Sequence, residues 1–212
     1  MLPAESATRA LTHLRDPALF KWYVIPLLLL VLYVYAEQVR ARRWPVVLGG
    51  LAFWLMDWIN EIWNGLIFHF TQFAPVWGAP GDTAFLILIG LNVEICLMFA
   101  VMGVTSLLLL PADPKLRILG INNRLLFAAV NSVLAVSVEC GLNAIGALTW
   151  EYSYWNQSFP YLVFLIGYLP FFLVAYCVHD LPDTRKQVTA VAALASVVAG
   201  SLLLFGSVLH WL

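Results

Sequence analysis

Six long apolar runs alternate with short polar breaks along this chain, at roughly 22–38, 45–70, 83–110, 123–149, 159–181 and 187–211. The breaks read VRARRW, APVWGAPGD, LPADPKLR, WNQSFP and LPDTRK, each rich in charge or turn residues. Runs of this length suit helices that cross a bilayer. The pattern predicts an all-α polytopic membrane helix bundle of six transmembrane helices, folded as one membrane-embedded domain over residues 1–212. Residues 1–21 form a polar N-terminal segment of mixed charge, in which 4–18 predict a short amphipathic helix at the surface. That segment reads as no cleavable signal, because the apolar run after Lys21 is long enough to stay as a span.

Polar side chains interrupt the second run in DWINEIWNGLIFH at 57–69. Asp57, Asn60, Glu61 and Asn64 fall at i, i+3, i+4 and i+7, so a helix carries all four on one face. The fourth run repeats the device with Asn131, Glu139 and Asn143, spaced by multiples of four. The third run adds Glu94, on a different face from Asn92. Counting helical rise from the run ends puts Glu61, Glu94 and Glu139 at similar depth. No lysine or arginine lies in runs two to five at that depth. Hydrocarbon disfavours charge, so the expectation is a cluster of carboxylic acids, some neutral at pH 7, held by asparagine amides. Asn92 and Asn131 read more plainly as bonds between helices. His69 and His210 read as interfacial, and His179 with Asp180 as a solvated helix end.

A second regularity links the halves. Glu61, Asn64, Trp77 and Gly90 are followed by Glu139, Asn143, Trp155 and Gly167 at similar spacing. Helix pairs 2–3 and 4–5 are either two copies of one unit, related by an axis along the membrane normal, or oily segments alike by chance.

Composition agrees with the pattern. The chain is 62% hydrophobic and 11% charged, which excludes an ordinary water-soluble domain. Cys96, Cys140 and Cys177 all lie in apolar runs and read as packing residues. Positive charge gathers in the first, third and fifth breaks. Odd-numbered loops are therefore expected in the cytoplasm, with both termini outside, although Arg9, Arg15 and Lys21 pull the other way. The expected partners are bilayer lipids and a hydrophobic isoprenoid-type substrate, with homo-oligomerisation left open and no nucleic acid.

Aromatic residues gather in run two and the outer breaks: Trp54, Trp58, Trp63, Trp77, Trp150, Tyr152, Tyr154 and Trp155. They form either an interfacial belt or a pocket whose ring faces stabilise a cation. Four acids could hold hard metal ions, but Glu-x-x-His and His-x-x-x-His are missing, so neither metal nor cofactor is expected. A carboxylate-bridged metal enzyme and a small proton-coupled transporter stand as alternatives. Acid catalysis fits the residues better. A carboxylic acid in a dry pocket can protonate an alkene or epoxide, rings shelter the carbocation, and a second carboxylate takes the proton back.

Resemblance points the same way. NEIWNGLIF at 60–68 with LIGLNVEICLMFAVM at 88–102 resembles the glutamate-bearing helix pair of the small integral-membrane terpene cyclases of fungal meroterpenoid and indole-diterpene pathways. ECGLNAIGALTWEYSYW at 139–155, with GYLPFF after it, is similar to the bacterioruberin-type carotenoid hydratases. Together these resemblances imply proton-initiated cyclisation, isomerisation or hydration of an isoprenoid lipid, with Glu61 as the acid. The cyclases carry a second acid in a seventh span, whereas residues 187–211 contain none. Glu139 or Glu94 then accepts the proton, Asp57 and Asn64 orient Glu61, and Trp58 supports the cation. Asn60, Asn143, Trp150, Tyr152 and Trp155 are expected at the substrate.

Overall fold

The computed structural model describes residues 2–212, which are mostly helical. A short surface helix, α1 (Glu5–His13), precedes α2 (Val24–Arg40), α3 (Trp44–Thr71), α4 (Val93–Leu108), α5 (Asn123–Ala144), α6 (Leu169–His179) and α7 (Thr184–Ser201). Two stretches are wound as π-helix: Val163–Tyr168, leading into α6, and Leu202–Val208, continuing α7. By length and composition, two helices among the described residues are long and apolar enough to cross a membrane, Asn123–Ala144 and Thr184–Val208. Helix α4 and the 163–179 helix are apolar but shorter, and α3 carries the polar stripe.

Helix α3 is the axis of the bundle, with α4, α6 and α7 packed around it. Small residues bring three backbones together near its first turns. A Cβ on Gly103 would stand 2.9 Å from the Gly50 carbonyl oxygen and 2.8 Å from the Phe53 Cβ. One on Gly49 would stand 3.0 Å from the Ala175 carbonyl oxygen. Phe53, Val104, Phe172 and Ala175 fill the space just beyond, each 1% exposed or less. Glycine and alanine at such crossings let helices approach where lipid offers no hydrophobic drive for association.

The third apolar run is not one helix, contrary to the sequence expectation for 83–110. Helix α4 starts at Val93, because the Asn92 side chain accepts the Ile95 N–H at 2.8 Å and caps it. Asn92 is thus a cap rather than a bond between helices. Before it, β1 (Leu86–Leu88) and β2 (Leu91–Asn92) form a tight antiparallel hairpin. A similar hairpin, β3 (Arg117–Ile118) with β4 (Ile121–Asn122), precedes α5, where Asn122 accepts the Arg124 N–H at 2.9 Å. Leu88-Ile89-Gly90-Leu91-Asn92 and Ile118-Leu119-Gly120-Ile121-Asn122 are alike, thirty residues apart. Their glycines serve different ends. Gly120 supplies a positive φ of 80°, whereas Gly90 has no room for a Cβ, as the site below shows.

The far ends are tied as well. Arg124 forms a two-pronged ion pair with Asp180, at 2.7 and 2.9 Å, joining the start of α5 to the end of α6. Asp180 is therefore a paired helix end, with His179 Nδ1 2.8 Å from the same carboxylate. Asn131 donates to the Tyr176 hydroxyl at 2.9 Å, a bond between α5 and α6. His69 stacks on Trp211, ring centroids 4.7 Å apart. The N-terminal segment is strapped across that same end, where the Ala4 N–H bonds the Phe73 carbonyl at 2.8 Å. Arg15 donates to the Leu86 and Ile87 carbonyls at 3.0 Å each, Lys21 pairs with Asp82, and Ala10 of α1 is fully buried.

Replacing Gly103 with valine forces α3 and α4 apart. The expected result is a loss of about 1–3 kcal/mol, as for overpacked cores. A lower melting midpoint in detergent than that of the wild-type protein checks it.

Candidate active site

Seven residues beyond Gly50, α3 turns its polar stripe toward a cavity of ≈ 120 Å³ between α3, α4, α5 and the 163–172 segment. Helices that touch at Gly103 and Ala175 diverge over that distance, roughly 10 Å at helical rise. Asp57, Asn60, Glu61 and Glu139 line the cavity. The three acids are almost wholly removed from the surface, at 3%, 3% and 7% exposed. Rings of Trp77, Trp155, Phe99, Tyr168 and Phe171 supply much of the rest of the wall.

Asn64 builds the roof. Its side-chain oxygen accepts the Val76 N–H at 2.7 Å and the Trp77 N–H at 3.3 Å, and its amide donates to the Trp77 carbonyl at 2.7 Å. Held so, Trp77 aims its indole N–H at Glu61 Oε1, 2.8 Å away. Gly90 then closes over both. A Cβ there would meet the Asn64 amide, Glu61 Oε2 at 2.8 Å and Trp77 Cδ1 at 2.8 Å. The loops that follow α3 and α5 pair with each other through Gly78 and Thr149, N–H to O at 3.0 and 2.9 Å. The Trp77 and Trp155 rings stack with centroids 5.4 Å apart.

Pro170 shapes the opposite wall. Proline has no N–H to give to the carbonyl four residues back, and the Asn60 amide donates to that Ile166 carbonyl at 3.2 Å. The backbone ahead of Pro170 runs as π-helix, a winding often found at functional sites. It brings Gly167 and Tyr168 to the cavity. Tyr168 lies beside Glu139, and Glu139 Oε1 accepts the Trp150 indole N–H at 3.2 Å. Two carboxyl oxygens, Asp57 Oδ2 and Glu61 Oε2, are buried with no protein partner among the described residues.

The expected site residues divide. Asp57, Glu61, Glu139, Asn60 and Trp155 meet at the cavity. Asn64, Trp150, Asn143 and Tyr152 stand one layer out and hold the loops. Asn143 donates to the Leu148 carbonyl at 3.2 Å, and the Tyr152 hydroxyl to the Ala74 carbonyl at 2.8 Å. Trp58 is elsewhere. One position past Asp57 on a helix is a turn of about 100° away, and its ring packs edge-on to Trp54 in the cluster around Leu55, Leu91 and Val198. Glu94 is also apart, because α4 begins just before it. Its carboxylate accepts from the Tyr23 hydroxyl, the Thr83 hydroxyl and the Ala84 N–H at 2.7 Å, which fastens α2 to α4. No three His, Cys, Asp or Glu side chains gather closely enough to hold a metal ion, among the described residues. Trp77, one of the rings expected in either an interfacial belt or a pocket, lies at the cavity, and Tyr168, Phe99 and Phe171 join it without having been expected from the sequence. Pro170, two residues after Tyr168, was the one local signal for Tyr168.

The chain matches an uncharacterized membrane protein family over residues 4–207. An uncharacterized protein of Archaeoglobus fulgidus is 52% identical over 211 residues, which covers all of both chains. A second uncharacterized protein of that organism is 49% identical over 53 residues, 25% of this chain and 95% of its own length. No solved structure matches.

Asn64→Ala leaves the Val76 and Trp77 amides without their partner. A loss of about 1–3 kcal/mol is expected for such buried groups, together with release of Trp77 from Glu61. Faster proteolysis within 72–92 and a red shift of tryptophan emission would report it.

Proposed function

We propose that this chain, which belongs to that uncharacterized membrane protein family, is an enzyme that protonates a carbon–carbon double bond of an isoprenoid lipid. The observation that carries the reading is the pair of unpartnered carboxyl oxygens, Glu61 Oε2 and Asp57 Oδ2, buried in a cavity walled by aromatic rings. A buried polar atom without a partner costs about 1–3 kcal/mol, so its retention suits a group that works on a ligand. In this reading the chain crosses the bilayer six times as an antiparallel bundle. Odd loops face the cytoplasm and both termini lie outside.

Trp77 fixes one oxygen of Glu61, and the other carries the reactive proton. That proton passes to one alkene carbon, forming a C–H bond and leaving a cation on its neighbour. Trp155, Phe99, Tyr168 and Phe171 present ring electrons to the cation. Glu139, held by Trp150 on the facing wall, removes a proton from an adjacent carbon and restores a double bond. The net change is isomerisation or cyclisation, with no oxidant and no proton consumed once Glu139 returns its proton across the cavity to Glu61. Capture of the cation by water, with Glu139 taking the proton released from the oxonium and returning it to Glu61, gives hydration instead. Asp57 shares the α3 face with Glu61 and lines the same cavity.

A proton-coupled carrier is the second reading, favoured by the helix interrupted at Pro170, since broken helices beside buried acids suit alternating access. Proton flux into proteoliposomes without any change in lipid would select it.

Reconstitution in deuterated water with a polyprenyl alcohol tests the enzyme directly. The wild-type protein is expected to place deuterium on carbon in the recovered lipid, read by mass spectrometry. Glu61→Gln should lower the rate by ~10²–10⁴-fold, the usual worth of general acid catalysis. Glu37→Gln, near the end of α2 and lining neither this cavity nor any neighbouring one, should change it little. Unchanged incorporation in Glu61→Gln would refute the mechanism.

A further inference from the structure

Helices α4 and α5 follow each other in sequence yet stand apart. Between them and α2 lies a second cavity of ≈ 580 Å³. Its walls are mostly aliphatic, with Leu27 and Leu30 from α2, Leu97 and Val101 from α4, and Leu134 from α5, and its polar members are Glu94, Thr105, Ser106 and Asn131. The outer lip faces the bilayer: Leu30 is 51% exposed and Leu134 59%. Four side chains, Met98, Met102, Ala135 and Val138, line both this groove and the acid cavity. The partition between the two is thus two unbranched thioethers facing one methyl and one valine. Methionine side chains repack readily, so little stands in the way of an inserted chain.

Charge narrows what can pass. Among the described residues neither cavity is lined by lysine, arginine or histidine, while the inner one holds three acids and the groove holds one, Glu94. A diphosphate or a carboxylate brought into it would meet like charge with no counter-ion, at a cost that grows as water is excluded. Helix α4 spans about 24 Å at helical rise, so the groove runs along much of a bilayer's apolar depth. We infer that this α2–α4–α5 groove is the lateral entry and binding site for an uncharged, unphosphorylated polyprenyl chain, whose end passes between Met98/Met102 and Ala135/Val138 to reach the acids. The inference rests on the enzyme reading above for the alkene character of the ligand. The route and the exclusion of charged head groups rest on the two cavities alone.

The test is photolabelling of the reconstituted wild-type protein with geranylgeraniol carrying a diazirine. Label is expected on peptides from α2, α4 and α5. Excess unlabelled geranylgeraniol should remove it, and geranylgeranyl diphosphate or hexadecanol should not. Met102→Trp and Ala135→Trp should each lower labelling about tenfold, while Val197→Trp, on the exposed face of α7, should leave it unchanged. Where a tryptophan variant fails to fold, the competition pattern of the wild-type protein decides. Equal competition by the diphosphate overturns the charge argument. Equal competition by hexadecanol, or label spread evenly over α7, marks ordinary lipid contact and overturns the groove. Labelling needs no turnover and should survive Glu61→Gln. Specific labelling alongside Glu61-independent deuterium incorporation sinks the mechanism alone, and the converse sinks the groove alone.

Discussion

Buried backbone outside helices and sheets must have its N–H and C=O groups paired, because no water reaches it. Asn64 meets that demand for the loop after α3, and much of the site follows from it. One fully buried amide takes two backbone N–H groups and gives one hydrogen to a carbonyl. An aspartate could not donate, and a leucine could do neither. With the loop fixed at 76–77, the Trp77 indole reaches Glu61, and the hairpin at 86–92 can seat Gly90 against both. The N-terminal strap through Arg15, Lys21 and Ala10 lies over that same hairpin. The strap therefore covers a roof that Asn64 has already set.

The lower half of the bundle explains why a cavity exists at all. Backbones pressed together at Gly49, Gly50 and Gly103 must separate further along if straight helices cross at an angle. Phe53 and Phe172 fill the first widening, and beyond them the space is left to Asp57, Glu61 and Glu139. Close packing at Gly49, Gly50 and Gly103 and a cavity beside Asp57 and Glu61 thus lie along the same helix. Stability lost by burying acids near Trp77 is offset by contacts elsewhere in the same helix.

Much of this was legible in the sequence, and the failures have physical causes. Asp57, Glu61 and Glu139 were found because helical spacing puts a rare polar stripe on one face, and that periodicity survived intact in α3 and α5. Glu94 misled because depth was counted along a continuous span, whereas a side-chain cap at Asn92 starts α4 beside it. Trp58 misled because adjacency in sequence means divergence on a helix. Trp77 comes to the cavity on a loop whose course depends on long-range bonds, Asn64 to 76–77 and Gly78 to Thr149. No local pattern encodes those. Tyr168 depends on a π winding ahead of Pro170 and on Asn60 supplying the bond that proline cannot. That pairing of residues 106 apart in sequence is visible only once the helices are packed.

The hydrogen-bond partners of the carboxyl groups distinguish the acids at the cavity from the one that ties helices together. Glu94 is surrounded by donors, two hydroxyls and a backbone N–H, with both oxygens engaged. Such a shell suits a fixed carboxylate that ties α2 to α4. Glu61 and Glu139 are each held by an indole N–H. Indole donates and cannot accept, so it pins one oxygen without offering a place for a proton on the other. For Glu61 the second oxygen has no protein partner, and a proton carried there has only the contents of the cavity to receive it. Tyr168 gives Glu139 a different neighbour, a hydroxyl able both to donate and to accept. The two walls are therefore unequal, one carrying an unpartnered carboxyl oxygen and the other a carboxyl group beside a hydroxyl.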